Sequence, residues 1–229
     1  MTQGRARRPS WLLRSAQEGW TLAMLTAVYG LWLLLIFSST FGIPWWIACP
    51  LLTLLTVQFL SLQHEALHGH PTRSAVLNEV LVSLPLGLCF PFRRYRTLHL
   101  RHHNDENLTD PFDDPETWYF EADDFSSQPP ISKLIWRMNA TLLGRLVFGP
   151  PLSCIGLIRR DAEAILGGDR RIAMDWGLHL VGLAAVFTLL GWAGFSGFAY
   201  IAFVAYPAMS VLMIRSFAEH RASAQKEHR

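Results

Sequence analysis

Residues 19–63 read GWTLAMLTAVYGLWLLLIFSSTFGIPWWIACPLLTLLTVQFLSLQ, 45 consecutive positions without an Asp, Glu, Lys or Arg. A helix needs roughly 20 apolar residues to cross the hydrocarbon core of a bilayer, so this run is long enough to cross twice. Its natural break is Phe41-Gly42-Ile43-Pro44, made of residues that favour a turn over helix. The same design returns at Trp176–Ile214, 39 uncharged residues interrupted by Gly191-Trp192-Ala193-Gly194-Phe195-Ser196-Gly197. The predicted fold is an all-α membrane protein of two transmembrane helical hairpins. Its four spans lie at about 20–41, 45–63, 176–194 and 197–215, and a cytoplasmic insertion of about 64–175 forms a helical cap, all in a single domain over 1–229.

Composition agrees with distribution: of 229 residues 51% are hydrophobic and only 17% charged, with a net charge of +2. The basic residues set the orientation. Arg5, Arg7, Arg8 and Arg14 precede the first run, Arg73 through Arg171 populate the middle segment, and Arg215, Arg221, Lys226 and Arg229 follow the last run, while the two turns carry none. By the positive-inside rule both termini and the middle segment face the cytoplasm. Trp45, Trp46 and Trp192 at the turns, with Trp11, Trp20 and Trp176 at the opposite ends, match an aromatic belt. The first apolar run is too long, and lacks an early small-residue cleavage site, for a cleavable signal peptide. No basic stripe with interleaved stacking aromatics points to nucleic acid. Cys49, Cys89 and Cys154 are widely spaced and read as small apolar fillers.

Two further apolar stretches need separate treatment. Val80–Phe92 is uncharged but 13 residues long and contains Pro85 and Pro91, so it cannot span as a helix and is expected to dip into the membrane or lie on it. Met138–Ile158 is interrupted by Arg145 and Gly149-Pro150-Pro151. It reads as an interfacial segment, with Lys133, Arg137 and Arg145 forming one basic face toward anionic lipid.

The histidines carry the chemistry. His64 and His68 stand four apart at the end of the second run, and His99, His102 and His103 follow as His-x2-His-His. At about 100° per residue the first pair stacks on one helix face, and the second set falls within about 100° of arc. Several imidazoles aimed from separate helices at one point suit iron, zinc or copper. Val80–Phe92 bears on this, because a crossing there would put the two sets on opposite sides of the membrane.

Gln63-His64-Glu65-Ala66-Leu67-His68-Gly69-His70-Pro71 followed by His99-Leu100-Arg101-His102-His103-Asn104-Asp105 resembles the histidine boxes of the membrane fatty acid desaturase family, whose superfamily includes membrane hydroxylases and carotenoid ketolases. Either box alone is a weak signal; both with this topology are a strong one, and the likeness covers nearly the whole chain. The resemblance implies two irons held by His64, His68, His99, His102 and His103, with dioxygen as co-substrate and an external electron donor. It implies O2-dependent desaturation of a fatty acyl chain, or hydroxylation or ketolation as in the sister enzymes. The donor would be of the ferredoxin or cytochrome type, since no Gly-x-Gly-x-x-Gly nucleotide fingerprint occurs.

The family's third box is missing. After the fourth run the chain reads Ser216-Phe217-Ala218-Glu219-His220-Arg221-Ala222 and reaches Arg229. Either the domain is C-terminally incomplete, the reading adopted here, or His220 and His228 substitute. In some relatives an additional ligand stands where His220 does, so His220 joins the expected metal set. His70 and His179 read as supporting histidines, and Glu65 as a carboxylate able to orient a ligand ring. Asp105, Glu106, Asp110, Asp113 and Asp114 form an acidic stretch after the second box. A non-catalytic truncated relative is the rival from another class. The expected setting is a bacterial inner membrane, with the termini and the active site cytoplasmic and a membrane lipid as substrate.

Overall fold

The computed structural model describes the backbone of residues 10–103 and 122–219 and the side chains of residues 18–101 and 123–214. The regular elements among the described residues are all helices, with no strand. Helix α1 (Ser10–Ile36) ends in a short 3-10 turn, Ser38–Phe41, closed by Gly42 at φ 68°, a left-handed backbone that glycine adopts without steric cost. The first span thus ends five residues before the expected 41. Helix α2 (Trp45–Leu67) returns, α3 (Ala75–Leu81) is short, and α4 (Phe92–His103) carries the second histidine set. Then come α5 (Ala122–Ser127), α6 (Pro130–Asn139), α7 (Leu142–Leu166) and α8 (Arg170–Trp192). The last span is α9 (Gly197–Tyr200), a π-turn over Ile201–Ala205, and α10 (Tyr206–Glu219).

Among the described residues five helical stretches are long and apolar enough to cross a membrane: Glu18–Ile36, Trp45–Leu67, Leu142–Leu166, Arg170–Trp192 and Gly197–Ile214. At most a third of each most apolar stretch is buried within the protein, and side chains such as Leu54, Val181, Trp192 and Phe198 are open on the outside. Outward apolar faces of that extent suit lipid rather than water.

The third of these stretches corrects the sequence reading. Met138–Ile158 is not one interfacial segment: α6 ends at Asn139, and a new helix begins after Thr141, whose hydroxyl caps Gly144 N–H. Arg145 therefore lies on a different helix from Lys133 and Arg137. It is buried, its Nε donating to Asn139 O at 3.0 Å, so no common basic face exists. Nor do Pro150 and Pro151 break α7. A proline removes the N–H that would bond the carbonyl four residues back, and here the two freed carbonyls are Leu146 O and Val147 O. Both are bonded from α10, by Ser210 Oγ at 2.7 Å and by Tyr206 Oη. Gly149 completes the contact, because a Cβ there would lie 2.9 Å from Met213.

Pro207 repeats the device. Tyr206 N–H reaches back to Ile201 O in a π-turn, and Phe203 O, denied a donor by Pro207, accepts from Thr53 Oγ1 of α2 at 3.0 Å. Freed carbonyls satisfied by neighbouring hydroxyls are how apolar surroundings tolerate proline in helices. These bonds join α7 to α10 and the π-turn before α10 to α2.

Over Val80–Phe92 no long helix forms, and the structure shows how the segment is accommodated. After α3 the chain leaves the helical ladder, yet Val82 and Leu86 sit in the main core with Trp32, Phe59, Val186 and Tyr200. Four of its carbonyls are taken by side chains of the surrounding helices. Tyr29 Oη bonds Leu81 O at 2.9 Å, Gln63 Nε2 bonds Val82 O at 3.0 Å, Tyr200 Oη bonds Leu86 O at 2.9 Å and His179 Nε2 bonds Leu88 O at 3.0 Å. Gly182 of α8 lets Pro85 approach, since a Cβ there would meet Pro85 Cδ at 2.8 Å. The segment also corrects the cysteine reading. Cys89 and Cys154, 65 residues apart in sequence, are joined as a disulfide between this segment and α7, and Cys49 alone is free and buried.

If the proline-freed carbonyls hold α7 on α10, a double-mutant cycle will show it. Tyr206→Phe with Ser210→Ala should lower stability in detergent by about 1–3 kcal/mol, from about 0.6 to 1.7 kcal/mol per interhelical bond. The same pair should cost less than half as much in a Pro150→Ala/Pro151→Ala background, where helix N–H groups return to the two carbonyls. Equal costs in both backgrounds, read from thermal or SDS unfolding, would show that the hydroxyls act otherwise.

Candidate metal centre

His64 lies in the last turn of α2, and local sequence fixes how that helix stops. Gly69, at φ 92°, takes the left-handed position, with Gly69 N–H bonded to Ala66 O and His70 N–H to Glu65 O. This is the Schellman closure that glycine permits. It leaves His68 as the capping residue, still one turn beyond His64, with the ring centroids 4.7 Å apart. His70 falls past the helix, before Pro71.

His99 arrives from α4. Its ring centroid is 4.7 Å from that of His64 and 5.5 Å from that of His68, and Tyr95, one turn earlier, packs its ring 5.5 Å away. His99 is buried, His64 half-buried and His68 exposed, so the group opens to the exterior at one edge. One ring nitrogen from each histidine lies within 4.8 Å of the others. An ion held at about 2.1 Å by two imidazoles keeps their nitrogens about 3–3.5 Å apart, a difference that small ring rotations close. Three neutral imidazoles from two helices fit a transition metal.

The expected ligands divide accordingly. His64, His68 and His99 are brought together. His102 and His103 close α4, but their side chains, like the whole of His220 and His228, lie outside the described residues, as do Asp105, Glu106, Asp110, Asp113 and Asp114. Glu65 Oε1 stands 3.8 Å from His64 Nδ1, near enough to attract a ring proton and too far to bond it. His179 is a buried helix histidine whose ring donates to Leu88 O.

Sequence reasoning missed a set of charged residues behind the cluster. Arg94 makes a two-pronged bond to Asp161 of α7, Nε to Oδ2 at 2.8 Å and Nη2 to Oδ1 at 2.7 Å. Asp161 Oδ2 also accepts from Trp176 Nε1 of α8 at 2.8 Å. Trp176 is therefore tied into this network, not simply part of an aromatic belt. Arg93 bonds Glu79 of α3 at 2.5 Å and lies 3.7 Å from Asp175 of α8; the bond to Glu79 raises its already high pKa further. Asp175, at the edge of the uncharged run from Trp176, carried a signal; Asp161, between Arg159-Arg160 and Glu163, carried none.

With the geometry in place, the family follows. The fatty acid desaturase family model matches residues 43–229, from the entry to α2 through the histidines and the second hairpin. The chain belongs to the fatty acid desaturase family, a family of membrane oxidoreductases. No curated protein and no solved structure matches it.

Replacing any one of His64, His68 or His99 by alanine should weaken binding of Co2+ to the purified protein by more than about 100-fold, because losing a ligand exceeds the 10–100-fold cost of losing an outer-shell partner. Arg159→Lys, at an exposed pair with Glu163, should leave it within a few-fold. Isothermal titration or cobalt absorption distinguishes the two groups.

Proposed function

We propose that the protein is a di-iron, O2-dependent oxidoreductase that desaturates the acyl chain of a membrane lipid. The observation that carries this reading is the convergence of His64 and His68, at the end of the long apolar helix α2, with His99 of the short polar helix α4, in a chain of the desaturase family. His102, His103 and His220 are proposed as the remaining ligands. When bound, iron supplies with dioxygen the oxidising power to break an unactivated C–H bond: two hydrogens leave adjacent carbons, two electrons and two protons enter from outside, and O2 ends as two waters. Neutral imidazoles suit that work because they hold iron through redox change. His64, His68 and His99 supply the donors, and the apolar flanks of α2 and α8 keep water from the acyl chain. The external electrons are assigned to a ferredoxin- or cytochrome-type donor.

Four crossings, not five, are the topology we infer. His179 bonds Leu88 O, and Asp161 near the end of α7 bonds both Arg94 and Trp176, which supports α7 ending and α8 starting on the histidine side. The number of crossings between His99 and α8 is then even. A full crossing by α7 would require a second between 104 and 141. There α5 and α6 are 6 and 10 residues long, and residues 104–121 carry seven acidic side chains. The bonds that Val147 O and Leu146 O accept from Tyr206 and Ser210 support an α7 whose first turns lie beside the last span and whose far end lies on the histidine side. The setting proposed is a bacterial inner membrane with the histidines cytoplasmic.

The function is tested by lipid analysis of cells expressing the protein with a suitable donor, alongside iron content of the purified protein. New double bonds lost in His99→Ala, together with two irons per chain, are the expected result. Hydroxylated or keto products would reassign it to a sister chemistry, and substoichiometric iron indifferent to His99→Ala would remove the enzymatic reading. For the topology, single cysteines at Arg101 and Arg170 in a background without native cysteines should react with an impermeant maleimide from one side of the membrane, and one at Phe41 from the other.

A further inference from the structure

The buried charges behind α4 bind no ligand in the reading above, yet they control how α4 faces. Arg94 and His99 are five positions apart on one helix, which places them about 140° apart around its axis. The arginine points away from the cluster. Its guanidinium and the Asp161 carboxylate are 13% and 2% exposed, and the second partner of Asp161, Trp176, comes from a third helix. A two-pronged arginine–carboxylate bond fixes orientation as well as distance, whereas a lysine at the same place supplies only a point charge. One rigid joint thus ties the back of α4 to α7 and α8 while its front carries His99 toward α2. The Arg93 bonds to Glu79 and Asp175 lie about 100° away around the same helix and add a second hold on its rotation.

We propose that Arg94, Asp161 and Trp176 are positioning residues that set the rotation of α4 and thereby the affinity of the His64–His68–His99 cluster for a divalent metal ion. The proposal rests on the reading of that cluster as a metal site. Asp161 holds Arg94 in plane, Trp176 holds Asp161, and none of the three needs to touch the metal.

The test is Co2+ titration of the full-length purified protein, reading the dissociation constant and the visible cobalt absorption, with helicity followed by circular dichroism. Arg94→Lys and Asp161→Asn should weaken Co2+ binding about 10- to 100-fold and alter the absorption band at unchanged helicity. Trp176→Phe should weaken it a few-fold. Arg159→Lys, at an exposed pair with Glu163, should match the parent. Should Asp161→Asn fail to fold, Trp176→Phe, which removes no charge, decides. Parent-like affinity and absorption in Arg94→Lys and Trp176→Phe would overturn the proposal and leave the metal site standing; a parent protein that takes up no Co2+ would instead overturn the metal reading. A variant with less folded protein but unchanged affinity would show a merely structural role and also overturn it.

Discussion

Everything at the histidine end depends on a stretch of chain that is not helical yet lies in the apolar core. From Leu81 to Leu88 the backbone has no ladder to satisfy its carbonyls, and an unpaired carbonyl in such surroundings costs several kcal/mol. The protein answers with one donor from each flanking span: Tyr29 from α1, Gln63 from α2, His179 from α8 and Tyr200 from α9. Trp32 then donates to the Tyr200 hydroxyl at 2.8 Å, so the two hairpins are linked through the same peptide group. Because the segment folds back into the core, α4 comes to lie beside the end of α2. That is the condition for His99 to meet His64 and His68.

The same physics governs the proline sites. In water a freed carbonyl finds a solvent donor; in an apolar bundle it must find a side chain, which makes it a specific joint. Leu146 O and Val147 O accept from α10, and Phe203 O accepts from α2. Proline in this chain therefore marks where helices are fastened together, and its apparent defects specify the packing. Spans that bury only a third or less of their length within the protein need such joints, because lipid gives apolar side chains no reason to prefer each other.

Four of the five long apolar helices were legible in the sequence because charge depletion over about 20 residues has few other causes, and the first turn because Gly42 and Pro44 break a helix. The pairing of His64 with His68 was legible from helical periodicity, and their meeting with His99 from the argument that Val80–Phe92 could not cross. What periodicity could not show were contacts that depend on long-range folding. Pro150 and Pro151 looked like breakers because their compensating hydroxyls lie about 60 residues away, on α10. Asp161 looked like one acid among many because Arg94 and Trp176 reach it from two other helices. Cys89 and Cys154 looked unrelated because only the re-entrant segment brings them together.

The two kinds of joint are not distributed at random. Around the core segment and between α7, α10 and α2 the linking groups are tyrosine, serine and threonine hydroxyls, a glutamine amide, an imidazole and an indole, each bonded to a carbonyl or a hydroxyl. The pairs of Arg94 with Asp161 and of Arg93 with Glu79 and Asp175 gather instead at the histidine end. Desolvating an ion pair costs several kcal/mol per charge, a cost that falls toward the edge of the apolar region. At that edge the extra strength and direction of a charged, two-pronged bond become usable. A cluster of imidazoles that must be aimed to within a fraction of an ångström gains more from such bonds than helices that need only stay adjacent. The division follows from the polarity gradient itself: neutral bonds hold the frame through the apolar depth, and ionic bonds orient the site where the helices emerge.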